Sequence, residues 1–287
     1  MEELSYNKNL SSKPIITEYY SDLKKINLKN KPVLSIILVG SRQDSIIYVN
    51  IKKKKCLELG IICDIYNYDN DVLEDTIINK ISELNNDLNV KGIMVQLPLP
   101  KNLNKNKIIS QIDPKKDVDG LHPYNLGRII NNEKPYFYPC TPLACVKLLD
   151  EYNINLEGQH VVFVGSGMVN LPLSLMLLDK KCSITLCNEH TTDIKSKTIV
   201  ADILIVGCGQ SKLVKKDWIK DNVIIIDIGI HKNNDILNGD VDYSDVIDKV
   251  KYITPVPGGI GPLTVCMLIA NLVNNWKTGL YSDTTHT

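Results

Sequence analysis

The chain has 287 residues, which is enough for two domains with cores of their own, and its 44% hydrophobic and 23% charged residues are typical of a globular protein. Since 33 basic residues balance 33 acidic ones, no net field favours nucleic acid as a partner. We find no apolar run of transmembrane length and no signal-peptide pattern, so we expect no membrane contact. The eight cysteines show no C-x-x-C spacing and no histidine cluster beside them, which predicts reduced thiols in the cytoplasm and no structural zinc or other metal site.

Apolar runs rich in β-branched residues alternate with helical patterns, which predicts a parallel α/β architecture. In the first half, we expect strands over residues 33–39, 61–66 and 92–97, with helices over 44–59 and 72–85. In the second half, we expect strands over 160–164, 183–187, 203–206 and 223–228, and a short one near Tyr252. Helices over 141–152 and 263–276 should join the halves and end the fold. The pattern predicts two α/β lobes with a cleft between them.

Lys52 holds an unusual position in the helix expected over residues 44–59. At about 100° per residue, Lys52 shares a sector with Tyr48 and three apolar residues, whereas the next three lysines point elsewhere. An ammonium on an apolar stripe loses hydration, which lowers its pKa until it can exchange protons. The alternative is a side chain that extends past the apolar face to water, and this helix alone favours that alternative.

Polar residues just after the apolar runs are candidate ligand contacts, because ligands of parallel sheets bind beyond the carboxyl ends of the strands. Gln96 follows such a run, and its amide could hold a lysine amine or a substrate ring, or could cap its own loop. Asp117 and Asp119 share one face of an extended segment if Val118 turns inward. This pair could bind a metal or grip an amino-substituted heterocycle, and a turn stabilised by Asx hydrogen bonds explains it almost as well.

Residues 161–170, VVFVGSGMVN, contain a G-x-G-x-x-N pattern after a strand and before a helix. This is the dinucleotide fingerprint with its third glycine replaced by Asn170. The next strand ends about twenty residues on, and Glu189 follows it, where a carboxylate would accept from a ribose 2′-hydroxyl and disfavour a 2′-phosphate. A tight turn without a ligand is the structural alternative.

Residues 254–264, TPVPGGIGPLT, contain three prolines and three glycines ahead of the last predicted helix. Glycines let backbone amides approach a ligand closely, and Pro262 suits the first turn of a helix. The composition therefore favours a ligand-binding turn, with a purely structural crossover as the alternative.

Together these residues resemble the methylenetetrahydrofolate dehydrogenase/cyclohydrolase family. The matching strings run in order over residues 33–274 and are S-x-x-Y-V-x-x-K at 45–52, VQLPLP at 95–100, KDVDGLHPYN-x-GR at 116–128, PCTP at 139–142 and PVPGGIGPLT at 255–264. The resemblance implies a folate-binding catalytic domain over residues 1–140, completed by a C-terminal helix over 264–287. It also implies a Rossmann-type dinucleotide-binding domain over 141–263.

The resemblance implies oxidation of 5,10-methylenetetrahydrofolate to the methenyl form with a nicotinamide cofactor, followed by hydrolysis to 10-formyltetrahydrofolate. It implies that Lys52 is the main acid/base, that Tyr48 orients the folate, that Gln96 positions the lysine and that Asp119 grips the pterin ring. The further substrate-binding positions are Ser45, Val95, Leu97, Pro257, Gly258, Gly259, Ile260, Gly261 and Thr264. The cofactor-binding positions are Gly165, Ser166, Gly167, Glu189 and Thr141. A homodimer paired through the second lobe is also implied.

Departures from the family pattern are concentrated at the cofactor. Gly165-Ser166-Gly167 stands where the family usually has Gly-Arg-Ser, so an arginine partner for a 2′-phosphate is missing. The resemblance implies NADP, whereas Ser166 and Glu189 favour NAD. Asn170, at a position that is commonly glycine, leaves open a cyclohydrolase with weak or lost dehydrogenase activity. A non-catalytic folate- or dinucleotide-binding protein is a further alternative.

Overall fold

The computed structural model describes residues 8–26, 32–233 and 236–278. Contacts between Cα atoms divide the chain into two compact units. Unit A contains Glu18–Cys140 and the chain from Val265 onward, and unit B contains the N-terminal residues up to Thr17 together with Thr141–Thr264. Within the described ranges, no helix is both long enough and apolar enough to cross a bilayer.

Helices and strands alternate through both units. The elements before residue 131 are α1 (Lys13–Lys25), β1 (Val33–Val39), α2 (Gln43–Glu58), β2 (Ile62–Tyr68), α3 (Glu74–Asn86), β3 (Val90–Val95), α4 (Lys105–Ile109) and α5 (Pro123–Ile130). The later elements are α6 (Cys140–Glu151), β4 (His160–Val164), α7 (Asn170–Leu178), β5 (Ser183–Cys187), α8 (Ile194–Thr198), β6 (Ile203–Val206), β7 (Ile224–Asp227), β8 (His231–Asn233), β9 (Ile236–Asn238), α9 (Tyr243–Val246), β10 (Tyr252–Ile253) and α10 (Ile260–Thr278).

Unit A is built on a parallel sheet with the strand order β2-β1-β3. All seven residues of β1 are buried, as expected for a strand covered on both faces. Ile77 and Ile81 of α3 pack in one core cluster with Ile37 and Ile93 of the sheet. The apolar run that predicted β1 therefore forms the centre of this core.

Unit B is built on a parallel sheet with the order β10-β7-β6-β4-β5, and β8 and β9 form a separate antiparallel hairpin. After β4 the chain adds β5 on one side and β6 on the other, so the strand order reverses between β4 and β6. In open α/β sheets, ligands bind at this reversal, beyond the carboxyl ends of the strands. These two parallel sheets confirm the predicted two-domain α/β fold class.

The N-terminal segment of unit B extends the sheet beyond β10. The amide of Leu10 donates to Ile253 O at 2.8 Å, and the amide of Ile253 donates to Lys8 O at 2.9 Å. The sequence pattern did not predict this pairing, because a segment of three residues carries no periodicity.

Candidate active site

Lys52 lies on the buried face of α2 in unit A. Its side chain is 7% exposed, and Val49 and Cys56 are buried beside it, whereas Lys53 and Lys54 are exposed. Its Nζ donates to Gln96 Oε1 at 2.8 Å. The alternative that Lys52 extends to bulk water is therefore wrong, because the ammonium ends on a side chain inside the fold.

Burial and a carboxylate act in opposite directions on the pKa of Lys52. Burial lowers the pKa of this ammonium, and the negative charge of Asp119 partly opposes the shift. Burial likewise raises the pKa of Asp119, against the effects of Lys52 and of the nearby Cys140 thiol. The site thus combines an amine of reduced basicity with a carboxylate of reduced acidity.

Gln96 is fixed at the carboxyl end of β3 by bonds at both its backbone and its side chain. Its amide N donates to Ile37 O at 2.9 Å, and its Nε2 donates to Leu97 O at 2.8 Å. The alternative that Gln96 caps its own loop is thus correct as far as Nε2 is concerned. This hydrogen bond coexists with the contact to Lys52 and orients Oε1 toward that lysine. Sequence reasoning placed β3 over 92–97, whereas the strand ends at Val95, since Pro98 has no N–H to continue the ladder.

Asp117 and Asp119 have different partners, although Val118 between them is buried as expected. Asp117 accepts from His122 N at 2.7 Å and from Asn125 Nδ2 at 3.0 Å. Burial raises the pKa of Asp117 to about 7, and these two donors oppose the shift. Asp117 therefore holds its own loop, and only Asp119 interacts with Lys52.

Three polar residues that sequence reasoning gave no role support this loop. Cys140 Sγ lies 3.2 Å from Val118 O, and Asn271 Nδ2 donates to Val118 O at 3.0 Å. Lys116, which is 1% exposed, donates from Nζ to Leu84 O, Asn85 O and Asp87 O at the end of α3. Since Asn271 follows Val118 by 153 positions, no local pattern could reveal their contact.

The other folate positions predicted in unit A lie at the start of α2 and the end of β3. Ser45 and Val95 are buried, and Leu97 is partly buried. Tyr48 is partly buried one turn before Lys52, and burial raises the pKa of its phenol. Tyr48 therefore keeps its proton at neutral pH and presents an uncharged aromatic ring.

The dinucleotide fingerprint in unit B forms the expected turn between β4 and α7. Gly165 has φ +106°, and a Cβ there would overlap Gly207 O, so only glycine fits. A Cβ on Gly167 would contact nothing within 4 Å, which leaves its backbone open to a ligand. Asn170 is buried, and its Nδ2 donates to Gly165 O at 2.9 Å and to Gly207 O at 3.3 Å. Asn170, which replaces the third glycine of the fingerprint, thus stabilises the turn between β4 and α7.

Glu189 follows β5 and is strongly exposed, with its Oε1 3.9 Å from His190 Nε2. Asn188 lies just before it, and the backbone N–H of Asn188 donates to Thr191 Oγ1 at 2.9 Å. The Glu189 carboxylate is therefore exposed just after the carboxyl end of β5.

The glycine-proline segment forms a turn that leads directly into α10, which begins at Ile260. Gly258 has φ +112°, and its carbonyl accepts from both the amide (3.0 Å) and the hydroxyl (2.9 Å) of Ser12. Thr264 Oγ1 lies 3.3 Å from Thr141 Oγ1, so two predicted ligand positions meet. The remaining predicted positions of the turn are Pro257, Gly259 and Gly261.

Comparisons with known proteins agree with this arrangement. Residues 139–280 match the family model described as tetrahydrofolate dehydrogenase/cyclohydrolase, NAD(P)-binding domain, and residues 9–119 match the model of its catalytic domain. The chain is 43% identical over 253 residues to the bifunctional protein FolD of Hydrogenobaculum sp. (strain Y04AAS1), covering 88% of this chain and 91% of that protein.

Two solved structures are similar over nearly the whole chain. The bifunctional FolD methylenetetrahydrofolate dehydrogenase/cyclohydrolase from Campylobacter jejuni is 38% identical with a TM-score of 0.90, covering 94% of this chain and 99% of that one. The Trypanosoma brucei methylenetetrahydrofolate dehydrogenase-cyclohydrolase, solved with NADP and an inhibitor, is 30% identical with a TM-score of 0.89, covering 96% and 98%.

Proposed function

The chain belongs to the tetrahydrofolate dehydrogenase/cyclohydrolase family, and from this premise we propose that it oxidises 5,10-methylenetetrahydrofolate and hydrolyses the methenyl product to 10-formyltetrahydrofolate. The observation that carries the proposal is the buried Lys52 amine, hydrogen-bonded to Gln96 and close enough to Asp119 for each to shift the pKa of the other. A catalytic role is favoured over mere ligand binding, because Lys52 donates to a side-chain amide at a strand end and not, as the structural Lys116 does, to backbone carbonyls.

Hydrolysis requires a base and then an acid at one position, and Lys52 supplies both. The neutral amine takes a proton from the water whose oxygen attacks the methenyl carbon. The resulting ammonium returns the proton to the ring nitrogen that leaves as the ring opens. The hydroxyl group of the intermediate releases its remaining proton to solvent as the formyl C=O forms, so the formyl group stays on the other nitrogen. Gln96 Oε1 orients the amine, since Nε2 of the same amide is held by Leu97 O. Asp119 would bind the pterin ring, and Tyr48 would pack against it.

Unit B fits a nicotinamide cofactor at the reversal between β4 and β6. Gly165 allows the tight turn, and the open backbone at Gly167 lets a pyrophosphate approach the amides at the start of α7. The cofactor supplies the hydride acceptor. The chain's own residues bind and orient it, and the bracing bonds of Asn170 favour a retained dehydrogenase over a cyclohydrolase that has lost it. By resemblance, Thr141 would border the cofactor, and Pro257, Gly258, Gly259, Ile260, Gly261 and Thr264 the folate.

We further propose that NAD is used at least as well as NADP. Ser166 carries no positive charge for a 2′-phosphate, and the exposed carboxylate of Glu189 would repel it while accepting from a ribose hydroxyl. We expect Glu189→Gln to raise the ratio of kcat/KM for NADP to kcat/KM for NAD. The substitution removes the repulsion of the 2′-phosphate, whereas the glutamine oxygen can still accept from a ribose hydroxyl. A strong NADP preference of the parent chain would refute this assignment.

The test of the proposed function is a spectrophotometric assay with 5,10-methylenetetrahydrofolate and each cofactor in turn, followed by an assay with methenyltetrahydrofolate alone. We expect reduced cofactor in the first assay and loss of methenyl absorbance in the second. Hydrolysis without cofactor reduction would leave only a cyclohydrolase. The absence of both reactions would leave only a binding protein.

The assembly, domain limits and compartment belong to the same proposal. A homodimer paired through unit B is supported by Leu171 and Leu178, two exposed leucines on α7, and by the edge strand β5. All eight cysteines lie in described ranges and are free thiols, which suits a reducing cytoplasm. We propose residues 1–140 with 264–287 as the folate domain and 141–263 as the nucleotide domain, with the exception that the segment 8–10 pairs with β10 of unit B. Sedimentation velocity measures the oligomeric state, and we expect a dimer.

A further inference from the structure

A fully buried carboxylate in unit B, that of Asp240, holds the loop that follows β6. Its Oδ2 accepts from the amides of Cys208 at 2.6 Å and Gly209 at 2.8 Å. Its Oδ1 lies 2.6 Å from His231 Nε2, and the His231 side chain is 24% exposed at the start of β8. The two oxygens thus have separate partners, with the loop on one and the imidazole on the other.

The backbone that carries Asp240 is itself fixed by a second buried carboxylate. Asp227, at the end of β7, accepts from the amides of Asp240 and Val241 at 3.0 Å and of Gly229 at 2.9 Å. A Cβ on Gly239 would overlap the Asp227 carboxylate, so the chain passes as close as glycine allows. The backbone at Asp240 is therefore fixed, and the Asp240 carboxylate holds the loop that follows β6.

The loop held by Asp240 faces the dinucleotide fingerprint. Gly207 O occupies the space where a Cβ on Gly165 would lie, and it also accepts from Asn170 Nδ2. Since β4 and β6 flank the reversal of strand order, residues 207–209 form the wall opposite the fingerprint turn. A shift of this loop would change the width of the cofactor site.

We propose that His231 and Asp240 are positioning residues for the nicotinamide cofactor, which hold residues 207–209 at the distance from the fingerprint turn that cofactor binding requires. This inference rests on the proposed function, because it assumes that the fingerprint binds a dinucleotide. The imidazole keeps Asp240 Oδ1 satisfied, so the carboxylate stays aligned with the two loop amides. Neither residue touches the reacting atoms.

The test compares His231→Leu, which removes the donor, with His231→Gln, whose Nε2 can occupy the place of the imidazole nitrogen. Dissociation constants for NAD and NADP are measured by direct titration, and KM and kcat are measured for cofactor and folate separately. We expect His231→Leu to weaken cofactor binding about tenfold, with kcat and folate KM little changed, as for the loss of one charge-assisted hydrogen bond. His231→Gln should restore most of the affinity. The matched control is Glu151→Leu, an exposed position at the end of α6.

Methenyl hydrolysis without cofactor separates positioning from a general loss of structure. Equal losses in hydrolysis and cofactor binding for His231→Leu would overturn the proposal, as would an unchanged cofactor affinity. If His231→Leu does not fold, His231→Asn, whose shorter amide cannot reach Asp240, carries the same expectation. A parent chain that binds neither NAD nor NADP would overturn the proposed function together with this inference. A parent that binds them while His231→Leu binds equally well would overturn the inference alone.

Discussion

Replacing Lys52 with methionine tests the central assignment with the least change in shape. Methionine keeps an unbranched side chain on the buried face of α2 and removes only the amine that donates to Gln96 Oε1. We expect hydrolysis of methenyltetrahydrofolate to fall about 10³-fold, within the range of about 10² to 10⁴ that general acid-base catalysis contributes. This corresponds to about 4 kcal/mol in the activation barrier. Some hydride transfer should remain, since that step needs no proton from Lys52.

The effect of the same change on stability should be small because two contributions oppose each other. Gln96 Oε1 loses its donor, which costs about 1–3 kcal/mol when the group is buried. The folded state no longer holds an ammonium at 7% exposure, which is a gain of similar size. We therefore expect the free energy of unfolding to change by less than about 2 kcal/mol.

The assay follows the loss of methenyl absorbance, and urea unfolding monitors stability in parallel. Lys54→Met is the matched control, because Lys54 is exposed on the same helix. Hydrolysis should also rise with pH through the lowered pKa of Lys52 in the parent and lose this dependence in Lys52→Met. Hydrolysis by Lys52→Met at close to the parent rate would refute the assignment of the lysine as acid and base.

Further expectations concern residues that the site depends on. Lys116→Met should lower the free energy of unfolding by about 3 kcal/mol in urea titrations, because three carbonyls at the end of α3 lose a charged donor; an unchanged midpoint would contradict the capping role. The pKa of Asp117 is about 7 in the folded chain against about 4 when unfolded. The protonated carboxyl therefore contributes its full stabilisation of the fold below pH 4, and this contribution is lost as the pH rises to 7. Asp117→Asn should remove that slope of up to about 1.4 kcal/mol per pH unit, and equal slopes would refute the shift. Asn170→Ala should raise the cofactor KM several-fold and spare hydrolysis, and a reversed pattern would contradict its bracing of the fingerprint turn.

Regular periodicity predicted the parts of the fold that are buried on defined faces. The bounds of β1, β4, β5 and β6 agree with the sequence prediction, because each apolar run ends at polar or glycine residues. Helix α1 was not predicted, although its apolar and aromatic residues recur at helical spacing, and Ile15 is the one buried residue within it. The hairpin of β8 and β9 was missed because strands of three residues carry too little alternation.

In the site, helical geometry placed Lys52 on the apolar face of its helix but favoured a side chain that reaches water. Strand-end reasoning gave Gln96 a lysine amine, a substrate ring or its own loop as partners, and the structure shows both the lysine and the loop contact. Neither approach could identify Asn271 or Asp240, whose bonds depend on tertiary packing. The alternation argument also paired Asp117 with Asp119, but donors from His122 and Asn125 hold Asp117 instead. Local patterns thus indicate which side chains are buried, whereas their partners are decided by how distant segments meet.

The short N-terminal pairing with β10 leaves the five-stranded sheet with unequal sides. Lys8 and Leu10 occupy the hydrogen-bonding groups of Ile253, so one side of the sheet ends in a three-residue segment and the other side ends in the five residues of β5. A very short edge strand offers few backbone groups to another chain, whereas a longer one can recruit a second copy. The short N-terminal pairing thereby makes the β10 side the weaker template for self-association.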